Sequence, residues 1–83
     1  MATVDQTPLE ADKMVDARGL ACPLPLLKAK QALAAMEAGQ RLELWASDPG
    51  SWEDIASFAT LSAHQLALRE KLEGDYHYIL VRG

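Results

Sequence analysis

The sequence predicts an α/β chain, an α+β two-layer sandwich of order β-α-β-α-β-β, with two helices packed on one face of a four-stranded mixed sheet. Three observations predict it. Residues 41–47 alternate apolar and polar, and residues 76–82 are rich in β-formers. Residues 23–38 and 51–62 instead repeat their apolar side chains at three- and four-residue steps. Glycine-bearing breaks at Gly19, Gly39, Gly50 and Gly74 separate these runs, and 83 residues give room for a single small domain.

The elements follow in order. Residues 1–12, MATVDQTPLEAD, are polar, contain Pro8 and show no sustained period; they read as a flexible N-terminal arm ahead of one domain over 13–83. Residues 13–17, KMVDA, alternate weakly and give a short first strand. The first helix spans 23–38, with Leu26, Ala29, Leu33 and Met36 as its buried stripe and Gly39 as its C-terminal cap. In the second strand, Leu42, Leu44 and Ala46 share the buried face. The turn from Asp48 to Asp54 leads into the second helix, with Asp48 or Ser51 as N-cap and a capping box between Ser51 and Asp54. Ile55, Phe58, Ala59 and Ser62 form its inner face. Residues 65–72 place Leu66, Leu68 and Leu72 on one side of a third strand. Glu73-Gly74-Asp75 is a hairpin turn into the fourth.

The chemistry concentrates in residues 16–30, DARGLACPLPLLKAK, which hold the only cysteine, Cys22. Proline is tolerated in the first turn of a helix, where its missing N–H would have had no partner. Pro23 and Pro25 fit that turn, and Pro23 pushes Cys22 out of helical backbone space, as an N-cap requires. Free N–H groups and the helix dipole favour a negative charge there, so the Cys22 thiol is expected below the free value of about 8.5. Arg18, Lys28 and Lys30 lie close in sequence and would add positive potential; as ordinary solvated charges they would not. A lone cysteine is most often a small buried hydrophobe. At a Cys-Pro helix start with no second cysteine, the balance turns to a reactive thiol.

Composition bounds the rest. The net charge is −4, which argues against non-specific binding to nucleic acid or to an anionic membrane. A single cysteine excludes an intrachain disulfide framework and the Cys-x-x-Cys pair of a thioredoxin-type oxidoreductase. A thiol that must stay reduced points to the cytoplasm. No apolar run approaches the length of a membrane span, and no basic stretch followed by an apolar run marks a signal peptide. His64 and His77 are too scattered for a zinc spacing, so no metal and no cofactor is expected. Helix capping accounts for Asp48, Glu53 and Asp54, and packing for Trp45 and Trp52.

The run Asp16-Ala17-Arg18-Gly19-Leu20, then Cys22-Pro23, Pro25-Leu26-Leu27 and Lys30, is similar to the signature of the TusA/SirA-like sulfur carriers. A second block, Ala46-Ser47-Asp48-Pro49-Gly50-Ser51 with Asp54-Ile55 and Phe58, resembles the same family in register. Leu24 stands between the prolines where one well-known pattern has an acidic residue. The resemblance covers residues 13–83. It implies a β-α-β-α-β-β sandwich and a persulfide carrier rather than a stand-alone turnover enzyme. Cys22 matches the sulfur acceptor and Pro23 and Pro25 match the prolines that position it; Asp16, Arg18 and Gly19 would shape the preceding loop. The implied partners are a sulfur donor such as a cysteine desulfurase and a downstream acceptor protein, with no direct nucleic-acid binding. The implied relays are tRNA 2-thiouridine formation, molybdenum cofactor metabolism and sulfur oxidation. The alternative is a non-catalytic interaction or regulatory module in which Cys22 is structural.

Overall fold

The computed structural model describes residues 11–83. The elements are β1 (Lys13–Ala17), α1 (Leu24–Ala34), β2 (Arg41–Ala46), α2 (Ser51–Leu61), β3 (Gln65–Leu72) and β4 (Asp75–Val81). The sheet order is β1-β2-β4-β3. β1 runs parallel to β2, with Val15 opposite Leu44 and Ala17 opposite Ala46. β4 is antiparallel to both β2 and β3. The expected architecture is the one observed. Most of the expected arm, residues 1–10, lies outside the described residues. Asp12 is bound to the start of β2: its N–H donates to the Arg41 carbonyl at 2.9 Å, and its carboxylate accepts from the Arg41 N–H at 2.8 Å.

Period-two alternation in the strands builds the core. Leu42, Leu44 and Ala46 of β2 meet Tyr78 and Leu80 of β4, all fully buried, under Ala29 and Leu33 of α1 and Ile55 of α2. Each large apolar side chain there contributes about 1.5–3 kcal/mol relative to exposure. One polar contact crosses this layer. Ser51 at the start of α2 and the Tyr78 hydroxyl are hydrogen-bonded at 2.7 Å, and burial pushes the Tyr78 phenol above its ordinary value.

Three local expectations are corrected. First, α1 is shorter than 23–38. It begins at Leu24 with Pro23 as N-cap, so Cys22 precedes the cap. It ends at Ala34, where the Ala35 and Met36 N–H groups bond three residues back. Gly39 has the positive φ of 89° that favours glycine, but it serves a separate turn. Its N–H donates to the Arg82 carbonyl at 2.8 Å, which ties that turn to the end of β4. Second, the capping box at α2 does not form. Gly50 is the N-cap, Ser51 faces Tyr78, and no side chain caps the helix. Third, Leu66, Leu68 and Leu72 do not share a face. The register slips between Leu66, opposite Leu80, and Leu68, opposite Ile79. The extra residue, Ala67, makes a bulge that turns Leu68 and Leu72 to the sheet side away from the helices. The hairpin falls where expected, with Glu73 and Gly74 both at positive φ, as a two-residue primed turn requires.

Candidate functional site

Topology decides where the two helices start. β1 and β2 are parallel neighbours, so both end at the same edge of the sheet, and the loops into α1 and α2 leave side by side. A hydrogen bond joins these loops: the Gly19 N–H donates to Ser47 Oγ at 2.8 Å. Gly19 turns the chain with φ 86°. The Leu24 N–H then closes a turn onto the Ala21 carbonyl at 2.9 Å, with Cys22 at its second position. Pro25, the second helical residue, is fully buried, and Pro23 is exposed. Pro25 therefore anchors the helix start into the core while Pro23 stiffens the turn that carries the cysteine.

Cys22 is exposed, so it is not a small buried hydrophobe. Its sulfur lies 2.6 Å from Asp54 Oδ2, in the first turn of α2, and donates a hydrogen bond to that carboxylate. The second loop presses close. A Cβ added at Gly50 would stand 2.8 Å from Asp48 Oδ2, 3.4 Å from Cys22 Cβ and 3.6 Å from Cys22 Sγ. Asp48 Oδ2 accepts from the Gly50 N–H at 2.9 Å and so holds that loop in place.

This geometry reverses the expected thiol acidity. The hydrogen bond to Asp54 holds the Cys22 thiol above its ordinary value, helped by desolvation and by the charges of Asp54 and Asp48. Cys22 precedes the N-cap, so the helix end acts on it only as a partial charge of about half a unit. The full charge of Asp54, in direct contact, outweighs it. Of the cations named from sequence, Arg18 and Lys30 are engaged elsewhere. Arg18 chelates Asp16 through Nε and Nη2 at 2.9 and 3.0 Å, reaches Asp75 at 3.6 Å and lies over the Trp45 ring. Those bonds hold the Asp16 carboxyl down at about 2. Lys30 sits over the Phe58 ring, and Lys28 lines a shallow cleft beside Asp16 and Gln31. Asp16 and Arg18 thus brace the loop from outside without touching the sulfur.

Asp54 was legible as a residue but not as a neighbour of Cys22. Capping explained it more cheaply, and only the parallel pairing of β1 with β2 brings the two helix starts together. Beside the pair lies a cavity of about 380 Å³ lined by Leu26, Lys30, Asp54, Ser57, Phe58 and Leu61. The histidines stand apart from the site. His77 is buried on the outer sheet face, and His64 accepts from the Gly83 N–H at 3.0 Å. Among the described residues, no three His, Cys, Asp or Glu side chains gather as a metal-holding group, and no helix is long and apolar enough to cross a membrane.

Comparison with known proteins bears on what such a site does. The family model described as sulfurtransferase TusA matches residues 13–83. The sulfur carrier protein TusA of Allochromatium vinosum is 42% identical over 69 residues, spanning 83% of this chain and 91% of that protein. YrkI of Bacillus subtilis is 40% identical over 67 residues, spanning 81% of this chain and 88% of that protein. A crystal structure of a SirA-like protein from Desulfitobacterium hafniense superposes with a TM-score of 0.73 at 30% identity, covering 86% of this chain and 97% of that one.

Proposed function

We propose that this chain, which belongs to the TusA family of sulfur carriers, accepts sulfane sulfur on Cys22 as a persulfide and passes it to an acceptor protein. The observation that carries the reading is the exposed sulfur of Cys22 on a turn braced by two prolines, at the shared mouth of two helices. Sulfur relay follows the logic of thiol–disulfide exchange. The Cys22 sulfur attacks the outer sulfur of a donor persulfide, and the donor leaves as a thiol. An acceptor thiol then attacks the sulfur held on Cys22 and regenerates the starting thiol. With no second cysteine in the chain, Cys22 cannot discharge its sulfur by closing an internal disulfide, which suits a carrier.

The donor is a persulfide-forming protein such as a cysteine desulfurase, and the protein works in the reducing cytoplasm. Pro23 and Pro25 position Cys22, and Asp16, Arg18 and Gly19 shape the loop before it. tRNA 2-thiouridine formation, molybdenum cofactor metabolism and sulfur oxidation are the relays in which such a step serves. Incubation with a cysteine desulfurase and cysteine, read by intact-protein mass, tests the proposal. A gain of one sulfur atom that reductant removes and that Cys22→Ser abolishes is expected. The same gain on Cys22→Ser, or none on the wild type with a competent desulfurase, would refute it.

A further inference from the structure

We propose that Asp54 is a catalytic residue of the carrier: it takes the proton of Cys22 during sulfur transfer and returns it to the departing thiolate. The proposal rests on Cys22 being the sulfur acceptor. Three features carry it. Asp54 Oδ2 stands 2.6 Å from Cys22 Sγ, within reach of direct proton transfer. Among the described residues no lysine or arginine pairs with Asp54, so its charge is not already neutralised. Asp54 also lines an open cavity with Leu26 and Phe58, so its carboxylate is reachable from outside the Cys22 contact. Among the described residues, Asp54 is the carboxylate hydrogen-bonded to the sulfur. The Asp48 carboxylate is bonded to the Gly50 N–H, and Arg18 is bound to Asp16 and Asp75.

The step balances without an oxidant or reductant. The Cys22 sulfur attacks the outer sulfur of a donor R–S–SH, and a Cys22–sulfur bond forms as the donor sulfur–sulfur bond breaks. The electron pair of that bond leaves on R–S⁻. The Cys22 proton passes to Asp54 and from there to R–S⁻, giving R–SH and Cys22–S–SH. Unloading is the same sequence in reverse with a different thiol. The carboxylate has two opposed effects. It keeps resting Cys22 protonated, which suppresses stray reactions of the thiolate. It also removes that proton at the moment of attack, so the thiol need not ionise into water first.

Those opposed effects give a test that a merely structural residue would not pass. Wild type, Asp54→Asn and Asp54→Glu are compared in two assays at pH 7. One is alkylation of Cys22 by iodoacetamide; the other is sulfur uptake from glutathione persulfide, timed by intact mass. Melting curves check that each variant is folded. Asp54→Asn is expected to alkylate several-fold faster, because the thiol is released from the carboxylate, yet to take up sulfur about tenfold or more slowly. Asp54→Glu, which keeps a carboxylate, is expected to recover part of the uptake rate. Uptake by folded Asp54→Asn within about twofold of wild type would overturn the proposal, as would slower alkylation of that variant. A wild type that takes up no sulfur would overturn the carrier reading itself and the role of Asp54 with it.

Discussion

Two clusters of ionisable side chains sit in this small domain, and they are built on opposite principles. On the outer sheet face, His77 of β4 lies between Glu43 of β2 and Glu70 of β3, with Nε2 2.7 Å from one carboxylate and Nδ1 2.8 Å from the other. The ring stacks on Trp45 with centroids 4.1 Å apart, and the Trp45 indole N–H donates to Glu43 at 3.2 Å. Each ring nitrogen has a carboxylate partner, and one of those carboxylates also accepts from the indole. At the helix entrances, Cys22 donates to Asp54 with Asp48 in the adjoining loop, and among the described residues no lysine or arginine pairs with either carboxylate. The first cluster is arranged as a structural fastener across three strands. The second holds a proton between two acids, on an exposed turn. Side chains that agree electrostatically hold a fold together, whereas side chains that disagree are where reactivity is kept.

Breaking the second cluster should leave the fold alone, and this is the largest functional effect expected. Cys22→Ser is predicted to abolish sulfur acceptance while its melting temperature stays near wild type, because the side chain is exposed and fills no core space. Mass spectrometry and a thermal melt read both. Breaking the first cluster should do the opposite. His77→Ala leaves two glutamates facing a void and is expected to cost about 1–3 kcal/mol, moderated because both carboxylates are partly solvated. That corresponds to a fall of roughly 5–20 °C in melting temperature, with the sulfur uptake rate unchanged. A strong uptake defect in folded His77→Ala would show that the two clusters are coupled.

A smaller change sharpens the comparison from between the clusters. Ser51→Ala leaves the buried Tyr78 hydroxyl without its partner, at a cost of about 1–2 kcal/mol by denaturant titration. Because Ser51 begins the helix that carries Asp54, a modest loss of uptake is expected alongside. The smallest effect belongs to the brace of the loop. Arg18 holds the Asp16 carboxyl down at about 2, below the unfolded value near 3.9. The ion pair therefore contributes above the unfolded value, and that contribution fades as pH falls through about 2. Melting temperatures of wild type and Asp16→Asn should differ slightly at pH 5 and converge near pH 2.

Much of the fold was legible because each element carries one strong local signal. The alternation of Leu42, Leu44 and Ala46 is realised as one buried face, and Glu73-Gly74 forms the tight hairpin its glycine announces. Leu68 and Leu72 were misassigned because a bulge at Ala67 is a pairing property; nothing in QLALREKL marks the slip. The α1 boundaries missed for a similar reason. Apolar spacing continues to Met36, which is buried after the helix has already ended. At the candidate site, the placement of Cys22 and its prolines at the start of α1 was legible, since Cys-Pro-x-Pro is contiguous. The direction of the Cys22 shift was not. A helix start is a local feature that predicts a more acidic thiol. The carboxylate that reverses it stands 32 residues away and arrives only through the parallel pairing of β1 with β2.

The claim that Cys22 is a way station for sulfur, neither a fastener nor a trap, is tested most directly by following one sulfur atom in and out. The protein is loaded with radiolabelled persulfide sulfur, freed of donor, mapped by peptide, and then mixed with a reduced thiol acceptor. The account predicts label on the peptide that contains Cys22 and its quantitative departure to the acceptor. Label on other peptides, or label that stays on Cys22 when the acceptor is added, would contradict it.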